Sequence, residues 1–574
     1  MQRTRWLRGL RADWHENFGL VGLALLVGSS AGLVAVGFRY LIFGIQNLAL
    51  FGRLSVVASD PTDNTLGAWI VVVPAAGGLV VGLLTFSLAT EARGHGVPEV
   101  MEAIAIHGGH LRARLIGIKS LASAITIGTG GSAGREGPIV QIGSALGATV
   151  GRLFGLQPYM TKVLVACGAT AGIAATFNTP IGGVLFSIEL ILLELKTRSF
   201  IPLVIASVLG TVVSRFFLGR HPAFIVPDYE FEHGVELFFY MGLGLLAGLA
   251  AVAMIALLYK TEDVFTNLAL PPYLRPALGG LALGVIALRF PQILGVGYET
   301  VIAVLQENYA GPMLVGLMAL KIVAVSLTLG SGGSGGVFAP SLFVGATLGG
   351  SFGAFVHHLF PAYTASPGAY ALVGMAAVFA GAGRATLTGI IILFEMTQDY
   401  HIILPLMFAC VVSDLVAWTM HPESIYTEKL KRRGVEVVLD IGVEEMARVR
   451  VGEVMDHRVE TVEERASIRE AYDKTLATGR KALAVVNGDG ELTGIVTHLE
   501  LSRAFKRDET ERSMYQFATR ELITAYPNQN LSEVIDHFYE IEQVPVVDPR
   551  DPKRLLGMLR RLDLLKAHGK KVIS

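Results

Sequence analysis

Cysteine is nearly absent, with two residues in 574. Cys167 and Cys410 each lie in an apolar run (ACGAT and FACVV), so they read as buried small hydrophobes rather than a disulfide or metal pair. Neither a CxxC pair nor a His/Cys cluster occurs, so no metal site is expected. Charge is scarce as well. Asp, Glu, Lys and Arg make up 17% of the chain and hydrophobic residues 52%, where a soluble domain carries about 25% charged residues. With a mean hydropathy of +0.53, most of the chain belongs in lipid. The net charge of −1 decides nothing, but its distribution does: apolar runs dominate up to about Tyr426, and charged residues crowd the chain beyond it. No small-residue cleavage site follows Arg3, Arg5, Arg8 and Arg11, and the next apolar run continues past Arg39, so a removed signal peptide is not expected.

Glycine, by contrast, is plentiful and patterned. The stretch Gly128–Gly151, GTGGSAGREGPIVQIGSALGATVG, returns without a gap at Gly330–Gly353. A shift of 202 positions (330 − 128) superimposes Gly128, Gly130, Gly131, Ser132, Gly134, Pro138, Gly143, Leu146, Gly147 and Gly151 on identical residues. Each copy reads as a glycine-rich turn opening into a helix, with Pro138 or Pro340 in the first turn, where an amide has no intrahelical partner to lose. Such a turn aims free N–H groups and the positive end of a helix dipole at one point, which makes an anion seat. Two such seats in two repeats of an apolar chain point to anion passage through a membrane. The repeat extends further: Gly94–Glu99 is faintly echoed by Gly295–Glu299, and Gly168, Gly183 and Glu189 meet Gly374, Gly389 and Glu395 at a shift of 206 (374 − 168).

Apolar segments fall near 18–38, 67–87, 115–127, 139–154, 160–176, 180–195, 200–217, 236–258, 276–289, 312–329, 337–360, 368–382, 386–397 and 402–420. Several are shorter than the roughly 20 residues of a simple spanning helix. Short, interrupted helices at matching places in two halves mark a transporter with its site at the midplane. Basic clusters at both ends (the four arginines, then Lys429, Lys431, Arg432 and Arg433) put both termini in the cytoplasm. From about Val451 the texture becomes soluble: each of two units reads strand, amphipathic helix, strand, strand, helix.

Glu136, at the start of one anion-seeking helix, is either a capping acid or a tethered anion that holds the seat until protonated or displaced. GxSxG appears at Gly130–Gly134 and again at Gly332–Gly336. A serine nucleophile would need an orienting histidine and acid and no second copy, so an intramembrane serine protease on Ser132 or Ser334 stands as a remote alternative of another class. Gly330–Gly335 also fits GxGxxG, but no βαβ unit surrounds it. His95 between two glycines reads as a structural histidine or as an anion ligand. Tyr426 reads by itself as an interface aromatic.

Taken together, GHGVPE (Gly94–Glu99), GREGP (Gly134–Pro138), GGVFAP (Gly335–Pro340) and the tyrosine of SIYTEKL resemble the CLC family of chloride channels and chloride/proton exchangers, over essentially the whole chain. The tail resembles a tandem CBS pair. The resemblance implies an all-α polytopic membrane domain of inverted repeats of short tilted helices, followed by a soluble α/β tandem CBS domain. It implies a cytoplasmic segment 1–17, a transport domain 18–433 (repeats about 18–217 and 236–433), a linker 434–450, and a tail 451–574 with units 451–509 and 514–571. It also implies a homodimer in a cell (inner) membrane, with a separate chloride pore in each subunit. Other anions are further candidates, nucleic acid is not an expected partner, and no catalytic residue is assigned.

Site residues follow position by position. The amides of Val337 and Phe338 and the hydroxyl of Tyr426 would hold the central anion, with Gly134 and Gly137 shaping the other seat, and Glu136 would be the external gate. Two departures stand out. Serine usually occupies the position of His95, and a neutral imidazole still donates one N–H while an imidazolium adds charge. Many exchangers carry adjacent acids where this chain has Glu189 and Leu190, and leucine cannot relay a proton, so passive chloride conduction with weak or no proton coupling is expected. A water-mediated inner proton path, or Glu194 one turn on, would instead make it an antiporter. No cofactor is required. An adenine nucleotide on the CBS pair is open, since Gly494–Glu500 keeps Thr497 but lacks the usual aspartate and Gly557–Asp563 keeps Asp563 but has Arg560 for the usual hydroxyl.

Overall fold

The protein, seen in a computed structural model, is described here for residues 2–193, 197–219, 224, 234–435, 449–506, 509–520, 522–535, 538, 541–560 and 563, with side chains from residue 19 except at 197, 198 and 506. Glu194, most of the linker and the end of the tail lie outside the described residues. The chain divides into two compact units, Met1–Val437 and Val438–Ser574.

In the first unit the initial repeat supplies α1 (Gln2–Phe51), α2 (Val72–Leu88), α3 (Val97–Ile106), α4 (Arg114–Gly128), α5 (Glu136–Leu153), α6 (Pro158–Phe177), α7 (Pro180–Phe186) and α8 (Thr197–Leu218). The second supplies α9 (Glu236–Asn267), α10 (Arg275–Ala287), α11 (Tyr298–Leu305), α12 (Gly311–Gly330), α13 (Phe338–Leu359), α14 (Pro367–Gly383), α15 (Thr386–Thr397), α16 (Ile403–Met420) and α17 (Thr427–Arg432). Eight of the described helices are long and apolar enough to cross a membrane, and four more are short and apolar. The unit is a multi-pass integral membrane domain.

The halves are related by a local two-fold axis. Gly78 of α2 abuts the carbonyl of Pro276, and Gly280 of α10 abuts that of Pro74, each residue 202 positions from its counterpart. The start of one helix thus meets the later turn of the other, so the equivalent helices run antiparallel, and the repeats are inverted. Closer in, Gly134 and Gly336 pair as an antiparallel bridge, with N···O distances of 2.8 and 2.6 Å. Ser132 N donates to Thr328 Oγ1 at 3.1 Å, and Ser334 N donates to Thr126 Oγ1 at 3.3 Å. Each glycine-rich break therefore meets its hydrogen bonds in the other repeat, as irregular backbone at membrane depth requires.

Glycines also set the helix pairs behind the site. A methyl group on Gly143 or Gly147 of α5 would strike the carbonyls of Gly168 and Leu164 in α6. Gly345 and Gly349 of α13 stand likewise against Gly374 and Tyr370 of α14. Small residues let these backbones approach where lipid offers little hydrophobic drive for association.

In the second unit, strands Thr461–Glu463, Ala482–Val486 and Leu492–Thr497 form one sheet, with helices Ile468–Thr478 and His498–Lys506 following the expected order. The second half keeps strands Gln543–Asp548 and Asp551–Arg560 paired antiparallel, while its first strand shrinks to a bridge between Ala525 and Val546.

Candidate functional site

The repeats converge where α5 and α13 begin, each starting two residues before its proline. The first amides of a helix have no partner within it, so the Phe338 and Ala339 N–H groups at the start of α13, and that of Gly137 in α5, are not used by their own helices. Gly134 differs: its N–H is already bonded to Gly336 O. Its part is to lack a side chain, because Glu136 Oε2 fills the space where a Cβ would stand, beside the Ala339 amide.

Glu136 is the first residue of α5 and is 1% exposed. Its Oε1 accepts a hydrogen bond of 2.6 Å from the Tyr298 hydroxyl and lies 4.0 Å from Arg135 Nε. Oε2 is buried without a hydrogen-bond partner among the described residues. A carboxylate thus sits at the helix start that would otherwise seat an anion.

Tyr426, 2% exposed, packs against Gly383. Tyr259 donates to Ile425 O at 2.6 Å and meets the His95 ring edge-on, with centroids 6.2 Å apart, so it joins the two sequence-predicted ligands. His95 is 2% exposed and its Nδ1 is buried without a partner among the described residues. The turn that carries His95 is clamped by Lys119, whose ammonium donates to Ala92 O and Gly94 O at 3.0 and 2.8 Å. Glu99, at the start of α3, accepts from Gly96 N and pairs with Lys429 and Arg433. The basic cluster after the last apolar helix therefore has a structural role at the turn that carries His95.

Among the described residues, the serines of the two GxSxG matches have no hydrolytic partners. Ser334 Oγ is bonded to Ser123 Oγ and Ala92 O, and Ser132 Oγ is buried without a hydrogen-bond partner among the described residues.

A family model described as voltage gated chloride channel matches residues 77–418, and one for the CBS domain matches 451–507 and 514–570. The chain belongs to the CLC family. It is 32% identical to the H(+)/Cl(-) exchange transporter ClcA of Yersinia pseudotuberculosis, over 71% of this chain and 87% of that one. It is 30% identical to the chloride channel protein CLC-f of Arabidopsis thaliana, over 94% and 79%. Its fold superimposes on the crystal structure of a slow cyanobacterial Cl−/H+ antiporter with a TM-score of 0.66 and 25% identity, covering 72% of this chain and 97% of that one.

At the position where many CLC exchangers hold an inner acid, Leu190 is buried in a π-helical turn, Ser187–Leu192. Its neighbour Glu189 is engaged elsewhere. The Glu189 carboxylate accepts from Leu387 N at 3.2 Å, Thr388 N at 2.8 Å and Thr388 Oγ1 at 2.6 Å, capping α15. Glu395 of α15 returns the contact, accepting from Ile181 N at 3.1 Å and Gly182 N at 2.7 Å at the start of α7.

The CBS signatures are closed on themselves. Thr497 Oγ1 donates to Glu500 Oε2 at 2.7 Å. Asp563 accepts from Arg560 N, Nε and Nη2 at 3.1, 2.8 and 2.9 Å. Arg560 also pairs with Asp456 at 3.2 Å, and these partners hold its guanidinium above its ordinary pKa, the hydrogen bond to Asp563 foremost.

Reasoning from sequence missed Tyr298. The available signal was the faint echo of Gly94–Glu99 at Gly295–Glu299, which places a tyrosine on the counterpart of the turn that carries His95.

Proposed function

We propose that this chain moves chloride across a membrane through a pathway in each subunit of a homodimer, with Glu136 as the outer gate and little or no coupled proton movement. The observation that carries the reading is the Glu136 carboxylate lodged beside the Ala339 amide at the start of α13, its Oε2 buried without a hydrogen-bond partner among the described residues. An anionic side chain there competes with a mobile anion for the same amides, so protonation or displacement opens the route. Val337, Phe338 and Tyr426 offer donors for the central anion, Gly137 for the other seat, and His95 adds an imidazole N–H where serine is usual. Both termini face the cytoplasm, in line with the basic clusters.

Weak coupling follows from the inner position. A proton crossing an apolar wall needs a titratable way-station or a file of water. Leu190 is not titratable, and Glu189 is committed to α15. The exchanger names among the relatives support the second reading, an antiporter with a water-mediated inner path. In the tail Arg560 fills Asp563, which favours a structural, dimerising CBS pair over one that takes an adenine nucleotide.

The test imposes a chloride gradient on liposomes holding the protein, with a pH electrode outside. Chloride flux without sustained proton transport is expected, and Glu136→Gln should raise it. Uphill proton transport abolished by Glu136→Gln would overturn the weak-coupling reading. A folded Glu136→Gln protein without flux would overturn the gate.

A further inference from the structure

Outside the cytoplasmic face of the pathway, the second repeat offers a turn of its own to the gate. Residues Gly295–Gly297 lead into α11, and both glycines lie in the left-handed region, at φ 57° and 87°. Lys321, the counterpart of Lys119, clamps this turn with hydrogen bonds to Ile293 O and Gly295 O at 3.0 and 3.1 Å. A side chain on Gly297 would meet the Phe343 ring and the Lys321 ammonium, so the turn fits closely. Tyr298, the first residue of α11, is thereby set in place before its side chain makes any contact.

The ring is held on two sides. Phe224 meets it edge-on at 5.5 Å, and the Arg135 guanidinium stands 5.2 Å from its centroid. The hydroxyl is left one task, the 2.6 Å hydrogen bond to Glu136 Oε1. That is the short distance of a charge-assisted O–H···O bond. Among the described residues, every other charged or titratable neighbour is less direct. Arg135 of α5 approaches Oε1 only to 4.0 Å. From α1, Arg39 faces Arg135 and Tyr298, and its buried Nε has no hydrogen-bond partner among the described residues. Tyr426 interacts with Glu136 only through its charge, as Glu299 does with Asp60, Arg135 and Lys321.

We infer that Tyr298 is the latch of the outer gate, a positioning residue whose hydroxyl holds Glu136 in the anion seat and must release it before chloride passes. The latch rests on the reading of Glu136 as the gate. By the two-fold relation, one copy of the turn presents His95 to the inner part of the pathway and the other presents Tyr298 to its outer door.

The experiment uses the full chain in liposomes. Tyr298→Phe keeps the ring and its packing and removes only the donor. Chloride flux at neutral external pH should rise about tenfold, the value of one hydrogen bond to a charged group. The external pH of half-activation should move up by about one unit, because less acid is then needed to free the carboxylate. In a Glu136→Ala background, with nothing to latch, Tyr298→Phe should change flux by less than about twofold. Wild-type flux and pH profile in Tyr298→Phe, or a full effect in the Glu136→Ala background, would overturn the latch. Glu136→Gln separates the two ideas: if it raises flux and Tyr298→Phe does not, the latch alone fails, and if it does not, the gate fails with it. Tyr298→Met, which fills the space without a donor, faces the same outcomes if the phenylalanine variant folds poorly.

Discussion

Replacing Glu189 by alanine is expected to weaken the fold and leave the ratio of protons to chloride unchanged. In the structure the Glu189 carboxylate serves the second and third amides of α15 and the Thr388 hydroxyl. Removing it leaves two helix-start amides without an acceptor, at a site that is only partly buried. Loss of a cap costs about 0.5–2 kcal/mol and hydrogen bonds to charged groups are stronger, so about 2 kcal/mol is a reasonable figure. An unfolding entropy of about 2.1 cal/mol/K per residue over the 437 residues of the membrane unit gives roughly 0.9 kcal/mol/K. The melting temperature should therefore fall by about 2 °C. Glu189→Gln retains one acceptor and should lose about half as much. Because Glu395 caps α7 in return, the double alanine variant should lose less than the sum of the single ones. Thermal unfolding in detergent and paired chloride and proton fluxes in liposomes are the assays. An unchanged melting temperature with an altered proton ratio would refute the capping argument and return Glu189 to the proton path.

His95→Ala and Tyr426→Ala should each weaken chloride binding about tenfold by calorimetry, the worth of one hydrogen bond to a charged group, without unfolding the protein. Burial works against ionising Asp456, yet the Arg458 N–H, the hydrogen bond from Arg480 and the charges of Arg560 and Arg480 together hold it below the ordinary aspartate range. A carboxylate with a depressed pKa adds stability above its unfolded value and loses it as pH falls through the folded one. The tail's melting temperature should thus drop as pH falls below about 4, and Asp456→Asn should remove that part of the dependence.

The helical plan of the membrane unit was largely legible because lipid demands long apolar runs, and the fourteen or so expected segments each became a helix. The additions are short: α3, α11 and α17 have 10, 8 and 6 residues, too few for a periodic signal. The first helix also runs on to Phe51 because Gln46 and Asn47, which interrupt its apolar run, find acceptors in the carbonyls of Ser55, Val57 and Ser59. Roles that depend on distant partners were hidden. Glu189 and the amides it caps are 198 and 199 residues apart, and Tyr298 and Glu136 are 162 apart. Gly134 carries a family motif, but only the folded chain reveals that Gly336 has taken its amide.

The crossed hydrogen bonds between the repeats also set the order of events at the ribosome. When Ser132 and its turn enter the bilayer, the Thr328 hydroxyl that will accept its amide is still 196 residues from being made. At about 5–20 residues per second the delay is roughly 10–40 s. For that interval the first half must wait in the membrane with polar backbone uncovered, shielded by water or by the insertion machinery. Maturation of this protein is therefore a meeting of two half-built bodies within the lipid, and it completes only after the later half has arrived.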